Sequence, residues 1–101
     1  MRIIGGRFKG KKINFIRSSS TRPLKDSVKE NIFNILMHSN KIDIPIEGSK
    51  VLDLYSGVGS FGLECISRGS KKVSFVERNS ASYRILNDNL DKLSLLSKAE
   101  I

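Results

Sequence analysis

The stretch that most constrains this chain is Val51 to Glu64, V-L-D-L-Y-S-G-V-G-S-F-G-L-E. A short apolar run to Tyr55 passes through three spaced glycines into a segment with helical spacing, the pattern of a buried strand turning sharply into a helix. Glycine serves such a turn twice over: it accepts positive φ, and with no Cβ it lets a bound molecule touch the backbone. The helix that follows points its free N–H groups at the same spot. That turn is where a ligand would sit.

The flanking segments extend the pattern. From Lys25 to His38 the spacing is helical, with Val28, Ile32, Phe33, Ile35 and Leu36 on one broad face and Lys25, Lys29, Glu30 and Asn34 elsewhere. Asp26 suits the first turn and His38 the last, where a cation near a helix C-terminus is a better reading of the only histidine than a catalytic role. Residues 39 to 48, with Pro45 and Gly48, form a loop. After the glycine turn a helix runs to about Arg68 and is closed by Gly69. Val73 to Val76 is β-rich and ends at Glu77, and Asn79 and Ser80 cap a second helix whose Tyr83, Leu86, Leu90 and Leu93 share a face. The last residues read as the approach to a third strand that is not completed.

Strand, helix, strand, helix means parallel strands joined by right-handed crossovers, the start of a doubly wound α/β sheet. Such a sheet binds ligands outside the carboxyl ends of its strands, where Tyr55 to Gly59 and Glu77 both fall. Only two strands are expected, so Val51 to Tyr55 would have an exposed edge, and a core this small lies where marginal stability is expected.

Ahead of this unit, Ile3, Ile4, Phe8, Ile13 and Phe15 alternate with basic residues, and two short runs around Lys9-Gly10 read as a β-hairpin with Gly10 at the turn. The hairpin and its linker occupy residues 1–22, and the ligand-binding unit residues 23–101. Charge is uneven: Arg2, Arg7, Lys9, Lys11, Lys12, Arg17, Arg22 and Lys25 stand in the first 25 residues with no acid, whereas residues 51–101 are nearly balanced. The net charge of +8 is therefore the surplus of the first quarter. A polyanion, most simply nucleic acid, is one reading of such a block; a solvated, solubilising arm is the other. Nothing resembles a signal peptide or a membrane span, so a cytoplasmic location is expected. Cys65 stands alone, which excludes an internal disulfide and argues against structural zinc or a redox pair.

Gly57-Val-Gly59-Ser-Phe-Gly62 matches G-x-G-x-x-G, and Glu77 lies 20 residues after Gly57, where a ribose-binding acid belongs. A dinucleotide site, and with it an NAD-dependent oxidoreductase fragment, must therefore be weighed. Asp53 tilts the balance, because a carboxylate beside the turn is unfavourable next to a pyrophosphate and favourable next to an ammonium and a sulfonium. S-adenosylmethionine carries both, and Glu77 can accept hydrogen bonds from its ribose. The plainer reading of Asp53 is a strand-end acid binding loop N–H groups, and of Glu77 a helix-capping acid.

Three blocks in order carry a resemblance: M-R-I-I-G-G-R-F-K-G-K-K, then T-R-P-L-K-D-S-V-K-E-N-I-F-N-I-L, then V-L-D-L-Y-S-G-V-G-S-F-G-L-E-C-I-S-R-G-S-K-K-V-S-F-V-E. Together they resemble the bacterial 16S ribosomal RNA guanine-N2 methyltransferase family of the RsmD type, from Met1 to roughly Leu93. The resemblance implies a Rossmann-like methyltransferase fold with an N-terminal hairpin, S-adenosylmethionine as donor, and a guanine of small-subunit ribosomal RNA as substrate. It implies a donor site lined by Asp53, Tyr55, Ser56, Gly57 and Gly59, with Glu77 on the ribose and Arg22, in Thr21-Arg22-Pro23, bordering the methionine end. Arg7, Lys9, Lys11, Lys12 and Arg17 would grip phosphates; no metal or membrane is implied. The family's Asn- or Asp-Pro-Pro-Tyr or Phe motif is missing here, since the only prolines are Pro23 and Pro45. No catalytic residue is therefore assigned, and the chain is expected to be an amino-terminal part, inactive alone, completed in one version by a separately encoded second half. A non-enzymatic RNA-binding module, its glycine turn merely structural, is the remaining alternative.

Overall fold

A computed structural model describes residues 1–15, 25–39 and 45–101. Its elements run α1 (Asp26–His38), β1 (Lys50–Leu54), α2 (Ser60–Ser67), β2 (Lys72–Val76), α3 (Ser80–Lys92), a 3₁₀ turn (Leu96–Lys98) and β3 (Ala99–Glu100). The strands are parallel in the order β1-β2-β3, with Asp53 opposite Phe75, Leu54 opposite Val76 and Val73 opposite Ala99. A third strand thus does form, where only its approach was expected.

Alternation along the strands sorts the two sheet faces. Val73 and Phe75 are buried and join Leu63, Leu86 and Leu90 of α2 and α3 in one core. Leu52, Leu54 and Val76 point the other way and are 61%, 58% and 49% exposed. Both helices lie on one face because two right-handed crossovers that advance in the same direction put them there.

The expected hairpin is present in a reduced form. Ile3 donates to Lys11 O at 3.0 Å, Ile13 to Met1 O at 3.0 Å and Gly10 to Ile3 O at 2.9 Å, around a single antiparallel bridge between Arg2 and Lys12. The turn is wider than one centred on Lys9-Gly10, because the chain bends to seat itself on the end of α2: Arg7 donates to Ser67 O at 2.7 Å and Phe8 to Ser67 Oγ at 2.9 Å. A Cβ on Gly6 would stand 2.0 Å from Ser67 O, so only glycine permits this approach.

Helix α1 turns a narrower face inward than its apolar pattern promised. Phe33 is buried and stacks on Phe61 with ring centroids 5.1 Å apart, but Val28 and Ile35 are exposed. Lys29, expected on the polar side, is fully buried one turn before Phe33. An ion-pair partner makes that possible. Its ammonium lies 3.3 Å from a Glu64 carboxylate oxygen and donates to Arg2 O at 2.7 Å and Ser60 Oγ at 3.2 Å. In α3 the core face is Leu86 and Leu90, with Tyr83 partly exposed instead of sharing it. Asn79 caps the helix as expected, its side chain accepting from Ser82 N–H at 3.0 Å.

Candidate functional site

The glycine turn joins β1 to α2 at the carboxyl end of the sheet, and two carboxylates hold it there. Asp53 comes from the inward-facing side of β1 and accepts the Gly62 N–H at 3.1 Å. Glu77, just past β2, accepts the Gly57 N–H at 2.7 Å through one oxygen and the Asn79 N–H at 2.8 Å through the other. Asp53 thus binds an N–H within α2, not one in the loop, while Glu77 binds the loop N–H of Gly57 and that of Asn79, the residue that caps α3. Each oxygen keeps a second lone-pair site for another donor.

The three glycines serve three purposes. Among the described residues, Gly57, at φ 57°, has no atom within 4 Å of where a Cβ would stand, so its bare backbone is open on that side. Gly59 would drive a Cβ to 2.4 Å from Leu86 Cδ1, and Gly62 to 2.2 Å from Phe75 Cε1. The first spacing thus opens the turn to a visitor, and the other two let α3 and the sheet close on α2.

Asp53 is 8% exposed, and its carboxyl is pushed up from 3.8 to about 6. Burial is the main cause, the Gly62 N–H opposes it and the nearby Glu77 charge adds to it. Neither Asp53 nor Glu77 takes part in any ion pair among the described residues. The Ser56 hydroxyl, in the same turn, is buried without a hydrogen-bond partner among the described residues. A buried acid without a countercharge, an unsatisfied hydroxyl and an open glycine together fit a cationic group with hydrogen-bonding capacity.

Asp53, Tyr55, Ser56, Gly57, Gly59 and Glu77 are thus brought to one place. Arg22 and Arg17 lie outside the described residues. Arg7, Lys9, Lys11 and Lys12 are exposed on the N-terminal segment, and Arg7 sits at the C-terminal end of α2. An eight-residue helix, about 12 Å at 1.5 Å per residue, separates that end from the glycine turn. Cys65 is buried, and burial first among other causes pushes its thiol up to about 12. It lines an apolar pocket with Leu36, Ile46, Val51 and Phe61, away from the turn. Among the described residues there is no group of three or more potential metal ligands, and no helix long and apolar enough to cross a membrane.

Two buried polar side chains that frame the site went unread in the sequence. Glu64 accepts the N–H groups of Ile4 and Gly5, both at 2.8 Å, and pairs with Arg68 at 2.8 Å as well as with Lys29. Asn89 accepts the Asn14 N–H at 2.8 Å and donates to Asn14 O and to Val58 O, both at 3.0 Å, so it ties the N-terminal segment to the glycine turn. A signal existed for each: Glu64 interrupts the apolar run F-G-L-E-C-I, and Asn89 lies on the stripe of Leu86, Leu90 and Leu93.

The family model "Conserved hypothetical protein 95" matches residues 1–101. The chain is 37% identical over 101 residues to the putative rRNA methyltransferase YlbH of Bacillus subtilis, covering 100% of this chain and 52% of that protein. It is 39% identical over 98 residues to the ribosomal RNA small subunit methyltransferase D of Haemophilus influenzae, covering 97% and 48%. The solved structure of the putative methyltransferase yhhF from Escherichia coli superposes with a TM-score of 0.81 at 31% identity, over 99% of this chain and 49% of that one. The chain spans about half the length of the curated relatives it matches.

Proposed function

The chain belongs to the conserved hypothetical protein 95 family, that of the RsmD-type methyltransferases, and on that premise we propose that it provides the donor-binding part of an S-adenosylmethionine-dependent ribosomal RNA methyltransferase. Its fold is part of the Rossmann-like fold of class I methyltransferases. The finer reading is transfer of a methyl group to N2 of a guanine in 16S ribosomal RNA.

The observation that carries the proposal is the pair of carboxylates around a bare main-chain turn, neither of them ion-paired among the described residues. When bound, S-adenosylmethionine supplies a methyl group on a positively charged sulfur. Asp53 favours that charge and the neighbouring ammonium, and its raised pKa is the mark of a carboxylate that a cation would stabilise. Glu77 keeps acceptor sites for ribose hydroxyls while its Gly57 bond fixes its orientation. Gly57 admits the ligand to the backbone, the Ser56 hydroxyl gains a partner, and Arg22 borders the methionine end. Arg7, Lys9, Lys11, Lys12 and Arg17 hold the RNA through its phosphates, with Arg7 a helix length from the turn. No residue of this chain is assigned to the acceptor amine.

Isothermal calorimetry with S-adenosylmethionine tests the reading. The chain should bind it, and Asp53→Ala should weaken binding at least tenfold. A larger thermal shift with NAD than with the methyl donor would replace the reading with a dinucleotide site. Absence of heat from either ligand would leave an RNA-binding module whose turn is structural.

A further inference from the structure

Tyr55 is the residue whose placement the fold does least to explain. It follows the last residue of β1 and precedes the turn, and the residue is 91% exposed. Its backbone is left-handed, at φ 55°, a conformation that a bulky residue rarely adopts and glycine adopts freely. The surroundings impose it: Leu54 is held in the sheet opposite Val76, Ser56 N–H is bound to Val76 O at 3.0 Å and Gly57 N–H to Glu77. A glycine would satisfy that bend without strain. The ring gains almost nothing from packing in return, so strain and an exposed aromatic side chain coincide at the lip of the ligand turn.

We propose that Tyr55 is a stacking platform for a nucleobase at the mouth of the donor crevice, an inference that rests on the methyl-donor reading above. An aromatic face carried into solvent on a fixed backbone, two residues from Asp53 and two from Gly57, suits a flat heteroaromatic ring, whose stacking needs no particular hydrogen-bond pattern. Two sources could supply it, the acceptor base of a single-stranded or extruded nucleotide and the adenine of the donor. The acceptor base is favoured. Glu77 places the donor's ribose at the end of β2, whereas Tyr55 stands at the end of β1 beside Asp53, where the methyl-bearing end lies and where an acceptor must arrive.

Tyrosine fluorescence can read this contact, because the chain has no tryptophan and only Tyr55 and Tyr83 as tyrosines. In the full chain carrying Tyr83→Phe, a guanine-containing single-stranded oligoribonucleotide should quench Tyr55, and the same strand with an abasic site in place of the guanine should quench it far less. Tyr55→Gly should raise the melting temperature while weakening that oligonucleotide about tenfold. Quenching by S-adenosylhomocysteine alone would keep the platform and name the donor's adenine as its occupant. No quenching by any of the three probes, or Tyr55→Gly that melts lower and binds the oligonucleotide unchanged, overturns the proposal. Calorimetric heat from S-adenosylhomocysteine with no quenching by any of the three probes sinks the platform alone, whereas no heat at all sinks the donor reading beneath it.

Discussion

Glu64 and Asp53 are both buried carboxylates that accept backbone N–H groups, yet the chain treats them in opposite ways. Glu64 has two cations, Lys29 at 3.3 Å and Arg68 at 2.8 Å, and two N–H donors from Ile4 and Gly5. Asp53 has one N–H donor, from Gly62, and its charged neighbour is a second acid. The first carboxylate is neutralised within the fold and welds the N-terminal segment, α1 and α2 together. The second keeps an uncompensated charge beside an open turn. Burial alone therefore does not single out an acid as a candidate for function; burial without a countercharge is what distinguishes Asp53 from Glu64.

The largest effect should come from breaking the neutralised side. Glu64→Ala strands the Lys29 ammonium in the core and leaves two backbone N–H groups without their acceptor, so about 3–5 kcal/mol should be lost. That is much of the total stability of a domain this size, so the circular dichroism melt should collapse. Asp53→Asn keeps an oxygen for the Gly62 N–H and removes only a desolvated charge, so its urea midpoint at pH 7 should match or exceed that of the parent. Equal losses from the two substitutions would erase the distinction. Pairing Glu64→Gln with Lys29→Met should restore only part of the loss, because it removes the fully buried ammonium but leaves Arg68, whose side chain is 11% exposed, without its carboxylate.

The glycines offer the next step down. Gly62→Ala places a methyl group 2.2 Å from a ring atom of Phe75, inside the contact between α2 and β2, and should cost about 1–3 kcal/mol through overpacking. Gly57→Ala meets no atom of the described residues and bears only the strain of positive φ, roughly 1 kcal/mol. Calorimetry should reverse the order: Gly57→Ala should lose donor affinity out of proportion to its small effect on the denaturation curve.

These contrasts explain what the sequence made legible. Strand, glycine turn and helix could be read because periodicity and turn chemistry act locally, and so the meeting of Glu77 with the glycine turn at the strand ends was legible. Lys29, Glu64 and Asn89 were not, because each looks like an ordinary polar residue until partners as distant in sequence as Glu64 and Arg2, or Asn14 and Val58, arrive beside it. The broad apolar face assigned to α1 failed for the same reason. Apolar spacing said where a face could be, and the buried ion pair decided which residues it contains. Gly10 takes the positive φ expected of the hairpin turn, but the turn is wider than its local sequence suggests because contacts with Ser67, remote in sequence, set its width.

A pH series sharpens the comparison further. The folded value of about 6 for Asp53 lies above its ordinary 3.8, so between those values the folded chain holds a proton that the unfolded chain has released. Its contribution to stability is fully present below pH 3.8 and is lost as pH rises through about 6. Stability relative to Asp53→Asn should therefore fall between about pH 4 and 7, as read from paired urea midpoints. Affinity for a cationic donor should move the other way, weakening as pH drops below about 6 and the carboxylate is neutralised.

The smallest effect on stability should come from the cations that the fold leaves exposed. Lys11 and Lys12 enter none of the salt bridges among the described residues, and the contacts at these two positions run through their backbone, with Lys11 O accepting from Ile3 and Lys12 O from Lys92. Replacing both with alanine should leave the melting temperature almost unchanged. Binding to RNA should respond, because each phosphate neutralised releases a counterion: the slope of log affinity against log salt should flatten by about 2 if both side chains meet phosphates. Glu64→Ala and this double substitution are thus mirror images on one short segment, the first abolishing the fold that presents the cations and the second removing the cations from an intact fold. An unchanged slope would make the basic residues a solubilising surface and move the RNA contact elsewhere.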